Sequence, residues 1–149
     1  MIIGIDTDVL VHWAMEGATH HRAVRRFVET EVSRRDGRLG LTPQVLYEAL
    51  HVCTDKRRFA RPLEMNGAIS LLRDLWDGKE TVRVLPGPTI LHRTLELLDS
   101  LGLGRKRILD TALAATLETA GIKRVATLNA QDFRIFSFLE VIDPARRPD

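Results

Sequence analysis

The chain has 149 residues, 44% of them hydrophobic and 28% charged, which closes one substantial core and is too little for two ordinary domains. No window approaches the roughly 18 consecutive apolar residues of a membrane span, and Asp6 interrupts the start too early for a secretory leader, so a soluble cytoplasmic protein is expected. The lone Cys53 excludes an internal disulfide and a Cys-rich zinc site. The net charge of +2 does not by itself mark a nucleic-acid binder. Of the 22 basic residues 18 are Arg, a bias that suits phosphate and equally suits a GC-rich genome.

Residues 2–5 read as a short buried strand ending at Asp6, followed by a helix from about Asp8. A second helix is expected over 20–35, where Ala23, Val24, Phe27, Val28 and Val32 recur at helical spacing, with a stop near Asp36-Gly37. A brief strand at 39–41 leads into Thr42-Pro43, a hydroxyl cap with Pro in the first turn, and a helix to about Thr54. Residues 55–62 form a basic connection, 63–76 a helix, 81–85 a strand and 88–101 a helix. Gly102-Leu103-Gly104 then breaks the chain before the basic Arg105-Lys106-Arg107. An Ala- and Leu-rich helix over 108–120 closes at Gly121, and strands follow at 124–127 and 138–142. This alternation implies an α/β fold, three layers with a central, mainly parallel sheet, in one domain over 1–143. Residues 144–149 read as a polar, Pro-rich tail.

In open parallel sheets ligands bind beyond the carboxyl ends of the strands, so acids there are the candidates. Asp6 ends the first strand, Asp132 follows the strand that ends near Thr127, and Asp110 opens a helix after a basic loop. Each also has a local reading: Asp8 and Asp110 as helix caps, Asp132 in a turn. Glu48 lies roughly 40° outside the apolar arc of its helix, at the border of the core, where a carboxylate wants a basic side chain or a metal ion. Acids gathered at one sheet edge raise each other's pKa, and a hard divalent cation with oxygen ligands, Mg²⁺ or Mn²⁺, compensates them. His20 and His21 are adjacent and point apart, and His12, His51 and His92 stand alone, so zinc is not expected. An all-oxygen site of this kind suits phosphodiester hydrolysis.

Four segments together resemble the PIN-domain ribonucleases, and within them the VapC-type toxins of toxin–antitoxin pairs. They are Ile5-Asp6-Thr7-Asp8-Val9-Leu10, Thr42-Pro43-Gln44-Val45-Leu46-Tyr47-Glu48-Ala49-Leu50, Leu109-Asp110-Thr111-Ala112-Leu113-Ala114-Ala115 and Thr127-Leu128-Asn129-Ala130-Gln131-Asp132-Phe133. The resemblance implies a metal-dependent endoribonuclease that cuts structured RNA, acts as a toxin, forms a homodimer and is held inactive by a cognate antitoxin. It carries the catalytic acids to Asp6, Glu48 and Asp110. Asp132 becomes the fourth, because Asn129 is neutral where many members have an acid. Asp6 and Asp110 are then the main metal ligands, with Glu48 binding directly or through water. Thr7, Thr127 and Asn129 are auxiliary, while Arg105, Lys106, Arg107 and Arg58 are candidates for phosphate contact.

Two rival readings stand beside this one. Asp6-Thr7-Asp8-Val9-Leu10 also satisfies the nucleophile motif of haloacid dehalogenase-like phosphatases, with Asp6 as nucleophile, Asp8 as acid/base and Thr42 imitating a second motif. The other rival is a catalytically inactive PIN fold kept as a binding module.

Overall fold

Short apolar runs make the strands, and their burial is deepest in the middle of the sheet, as a parallel sheet covered on both faces requires. The computed structural model describes residues 1–146. Strands β1 (Ile2–Ile5), β2 (Arg38–Leu41), β3 (Thr81–Arg83), β4 (Arg124–Ala126) and β5 (Glu140–Ile142) form one sheet in the order β3-β2-β1-β4-β5, with every neighbouring pair parallel. The register pairs Gly4 of β1 with Gly40 of β2 and with Val125 of β4.

Between the strands lie α1 (Thr7–Ala14), α2 (His21–Glu29), α3 (Pro43–Cys53), α4 (Met65–Asp77), α5 (Ile90–Ser100), α6 (Ile108–Thr119) and the single turn α7 (Ala130–Phe133). The chain steps from β1 to β2 to β3 in one direction, then returns past β1 to lay down β4 and β5. Right-handed crossovers therefore put α1 to α4 on one face and α5 with α6 on the other. The packing agrees: α1 lies against α2 and α3, α3 against α4, and α5 against α6. Helix α6 crosses β1 at Gly4, where an added Cβ would lie 2.5 Å from Leu117 Cδ1; the bare backbone lets the helix close onto the sheet. Ile3, Ile5, Val9, Leu41, Val45, Ala49, Leu117, Val125 and Phe133 belong to one continuous core, and Cys53 is buried in it.

The expected strands and main helices are present with shifted ends, and three segments differ from expectation. The helix expected over 20–35 is α-helical only to Glu29 and widens into a π turn over Thr30–Arg34, where Glu31 is buried beside Arg35 at 3.2 Å. Apolar spacing cannot register that change, because the hydrogen bonds move by one residue while the buried face continues. The basic stretch before α6 is a 3₁₀ turn, Arg105–Arg107. Residues 144–146 are not a loose tail: Pro144 is buried and Ala145 half-buried, and the Asp143 carboxylate accepts from the Ala145 N–H at 2.9 Å. The rest of the expected tail, 147–149, lies outside the described residues. Among the described residues no helix is long and apolar enough to cross a membrane.

Candidate active site

Strand order reverses between β1 and β4, and the crevice beyond their carboxyl ends is where such a sheet binds ligands. Asp6 follows β1 and Thr127 follows β4, so topology alone brings these distant residues side by side. The Asp6 N–H donates to the carbonyl of Ala126 at 3.0 Å, extending the sheet by one step. One carboxylate oxygen of Asp6 accepts from the Thr7 N–H at 2.8 Å, capping α1, and the other accepts from the Thr127 hydroxyl at 2.8 Å. The cap of α1 is thus Asp6, and Asp8, expected to be a cap, is free for another use.

Asp8 lies in the first turn of α1, and its carboxylate accepts from the Leu128 N–H at 3.2 Å, next to Thr127. Glu48 comes in from α3. Thr7 Oγ1 donates to one of its oxygens at 3.2 Å, and Gln44 Nε2, one turn earlier on α3, donates to the other at 2.8 Å. Asp110, in the first turn of α6, is likewise no cap; Arg107 occupies that position. Asp132 sits in α7, where the Asn129 amide donates to its carboxylate.

The electrostatics tie these acids into one cluster. Burial pushes Asp6 up to about 8, and the Asp8 charge adds to the shift, with Asp110 contributing less. Asp8 is raised too, by burial first, and Asp143 at the end of β5 adds to it. Asp110 is raised by burial; Arg107 pulls it back down, while Asp132, Asp8 and Glu48 push it up. Arg107 is the cation that reaches the cluster: its Nε lies 3.9 Å from Asp110, its Nη1 4.0 Å from Asp132, and its Nη2 donates to the Asp132 carbonyl. The buried Thr111 hydroxyl donates to the Arg107 carbonyl at 2.6 Å and so anchors the 3₁₀ turn that carries it.

The remaining sequence candidates are distributed unevenly. Both threonine hydroxyls, Thr7 and Thr127, are spent on cluster carboxylates. The Asn129 side chain is spent on Asp132, and its N–H donates to Thr127 Oγ1 at 3.0 Å. Arg105 and Lys106 are exposed on the turn that leads to Asp110. Arg58 is not brought to the cluster: it is exposed and faces Asp55 at 3.9 Å, an acid that also pairs with Arg57. Thr42 accepts from the Val45 N–H at 3.3 Å as the cap of α3, which leaves it no part in a phosphatase motif.

Sequence reasoning passes over three residues. Asp8 reads as a cap although it stands only two positions after Asp6. Asp143 ends β5 and meets the same strand-end criterion as Asp6. Gln44 precedes Glu48 by four residues, the spacing at which helical side chains meet.

A divalent cation fits this donor set in its chemistry: every side chain is an oxygen ligand, and the negative charge exceeds what Arg107 balances. Among the described residues, however, no group of three such side chains is placed to hold a metal ion as it stands. Asp6 and Asp110, expected as the main ligands, and Glu48, expected to bind directly or through water, therefore share a region without forming a closed cage.

The PIN domain family model matches residues 3–139. Ribonuclease VapC33 of Mycobacterium tuberculosis is 32% identical over 144 residues, covering 95% of this chain and 96% of that protein. Among solved structures, VapBC-1 from nontypeable Haemophilus influenzae superposes with a TM-score of 0.67 at 15% identity over 98% of this chain and 100% of that one. VapC20 of Mycobacterium tuberculosis, described as a Sarcin-Ricin loop cleaving toxin, superposes with a TM-score of 0.61 at 15% identity, covering 84% and 87%. The phosphatase reading falls with this match, and the chain belongs to the PIN-domain family, among its VapC ribonucleases.

Proposed function

We propose that this protein is an endoribonuclease that hydrolyses phosphodiester bonds of structured RNA and serves as the toxin of a toxin–antitoxin pair. The observation that carries the reading is the gathering of Asp6, Asp8, Glu48, Asp110 and Asp132 at the switch point of the sheet, with raised proton affinity at Asp6, Asp8 and Asp110. An inactive binding module has no need of such a cluster, whose mutual repulsion costs stability.

PIN-domain ribonucleases are divalent-metal dependent. Mg²⁺ or Mn²⁺ is the ion we assign, held by Asp6 and Asp110 with Glu48 directly or through water. When bound, such an ion would supply Lewis-acid polarisation of the phosphodiester and an activated water. The chain's own residues do the positioning. Thr127 and the Thr7 N–H fix the two oxygens of Asp6, while Thr7 and Gln44 fix those of Glu48. Asp132, on the rim and held by the Asn129 amide, would orient a water beside the bound ion. Arg107 offers its fork to phosphate oxygens once the carboxylates are otherwise neutralised, with Arg105 and Lys106 on the approach.

The same reading supplies a cytoplasmic location, a homodimer and a cognate antitoxin that covers the acid cluster. Incubating total RNA with Mn²⁺ and the wild type, Asp6→Asn or Asp110→Asn tests it: cleavage by the wild type alone is expected, and equal cleavage by all three overturns the assignment.

A further inference from the structure

A groove of about 760 Å³ runs between α2 and the segment after β5, outside the acid cluster. Arg22 and Arg26 stand on its α2 wall, one helical turn or about 6 Å apart, and Arg146 stands on the other wall. Two acids share the groove, and neither is spent on those arginines. Glu31 is buried and paired with Arg35, and Asp143 accepts from the Ala145 N–H. Arg22 and Arg26 are exposed, and among the described residues neither forms an ion pair.

The groove adjoins the acid cluster on its C-terminal wall. Ile142, at the end of β5, accepts through its carbonyl from the Thr127 N–H at 3.0 Å, and the Thr127 hydroxyl binds Asp6. On the other side His21 Nδ1 and the His12 carbonyl, 2.8 Å apart, tie α2 to the last turn of α1. A polyanion held at a cluster of carboxylates needs cations on both flanks to offset the repulsion. Arg105 and Lys106, exposed on the turn that leads to Asp110, supply one flank.

We propose that this groove is the second flank: a single-stranded stretch of RNA continues from the acid cluster between α2 and the C-terminal segment, with Arg22 and Arg26 on its phosphates. The inference rests on the ribonuclease reading for its ligand class and on charge complementarity and continuity for its place. Contacts of this kind hold the backbone irrespective of sequence, so they set affinity and leave the chemistry at Asp6 untouched.

The test compares wild type with the double variant Arg22→Glu/Arg26→Glu on two substrates. One is a single-stranded RNA long enough to span groove and cluster; the other is a dinucleotide that reaches the cluster alone. KM for the long RNA is expected to rise about tenfold, with kcat retained and dinucleotide cleavage unchanged. In an Asp6→Asn background, polarisation of the same long RNA carrying a fluorophore reads binding without cleavage. There Arg22→Ala and Arg26→Ala each lower the salt dependence of log Kd by about 0.7. An unchanged KM and salt slope overturns the proposal, as does an equal loss on both substrates, or a groove that binds polyglutamate while these variants hold RNA as the wild type does. If the wild type cleaves neither substrate, the nuclease reading falls, and the binding measurement still decides the groove.

Discussion

Among the described residues, Asp6 and Asp8, where β1 runs into α1, accept from neutral donors, backbone N–H groups and the Thr127 hydroxyl. Asp110 and Asp132, on the rim formed by α6 and α7, share the half-buried guanidinium of Arg107. Dipoles solvate the inner pair without cancelling its charge, so burial raises both residues. At the rim the fixed cation opposes the same tendency at Asp110. The chain therefore offsets part of the charge on its outer acids with a fixed cation and gives the inner ones dipoles alone. That division is what a site needs if an exchangeable cation is to bind in one definite place.

The largest test of this division is Asp6→Asn. An amide keeps an oxygen for the Thr7 N–H and turns its NH₂ toward Thr127 Oγ1, whose hydroxyl can accept. Cleavage is expected to fall at least about thousandfold, roughly 4 kcal/mol of barrier, while the metal-free variant melts a few degrees above wild type at pH 8. Asp110→Asn should lose comparable activity without the gain in stability, because it strips Arg107 of a partner. Calorimetry of both variants in EDTA decides the point: a lower Tm for Asp6→Asn would show that the inner pair is not under strain.

The pH dependence sharpens the same contrast. Asp6 titrates near 8 in the folded chain and near 3.8 when unfolded, so between those values the native state holds a proton that the unfolded state has released. Its contribution to stability is complete below about pH 4 and is lost as pH rises through 8; Asp8 and Asp110 act in the same direction. The metal-free protein is expected to melt roughly 5–10 °C lower at pH 8.5 than at pH 5.5. Mn²⁺ competes with the proton for these oxygens, so it should raise Tm strongly at the higher pH and little at the lower one. A Tm that rises with pH in EDTA contradicts the pKa directions on which the comparison stands.

Arg107→Ala breaks the rim instead. Loss of one half-buried cation facing two carboxylates is expected to lower stability by about 1–2 kcal/mol and cleavage by about 10- to 100-fold. The Mn²⁺ concentration for half-maximal activity should not rise, since removing a positive charge does not weaken the binding of another. Titration of Mn²⁺ against both proteins checks this, and a weaker Mn²⁺ affinity in the variant would place Arg107 in support of the ion.

The order of elements, the parallel sheet and the positions of Asp6, Glu48 and Asp110 are legible in the sequence because they depend on periodicity and on where strands end. The angle of Glu48 on α3 puts it at the border of the core, where the structure gives it two neutral donors, Thr7 and Gln44, in place of the basic side chain the sequence also allowed. The features that escape depend on pairings between segments far apart in the chain. Asp8 joins the cluster only once Leu128 is known to lie beside it, and the burial of Pro144 emerges only once β5 is known to exit beside β4. Arg58 and Arg107 both belong to basic runs, and the run just before Asp110 is the better placed of the two in the sequence. Their local partners separate them in the structure: Asp55 occupies Arg58, whereas the Thr111 hydroxyl pins the turn that carries Arg107 toward the acids.

The smallest expected effect concerns Gln44, whose amide fixes one oxygen of Glu48 across a turn of α3 while Thr7 fixes the other. A single hydrogen bond to a charged, half-exposed acceptor contributes about 1 kcal/mol, so Gln44→Ala should slow cleavage roughly fivefold. Because Glu48 then keeps only the Thr7 contact, Thr7→Val in the same chain should cost more than the product of the two single losses. A strictly multiplicative double variant would mean that Glu48 is positioned by its helix and not by its two donors. In that case α3, capped by Thr42 and packed against α1, would be sufficient to aim the carboxylate.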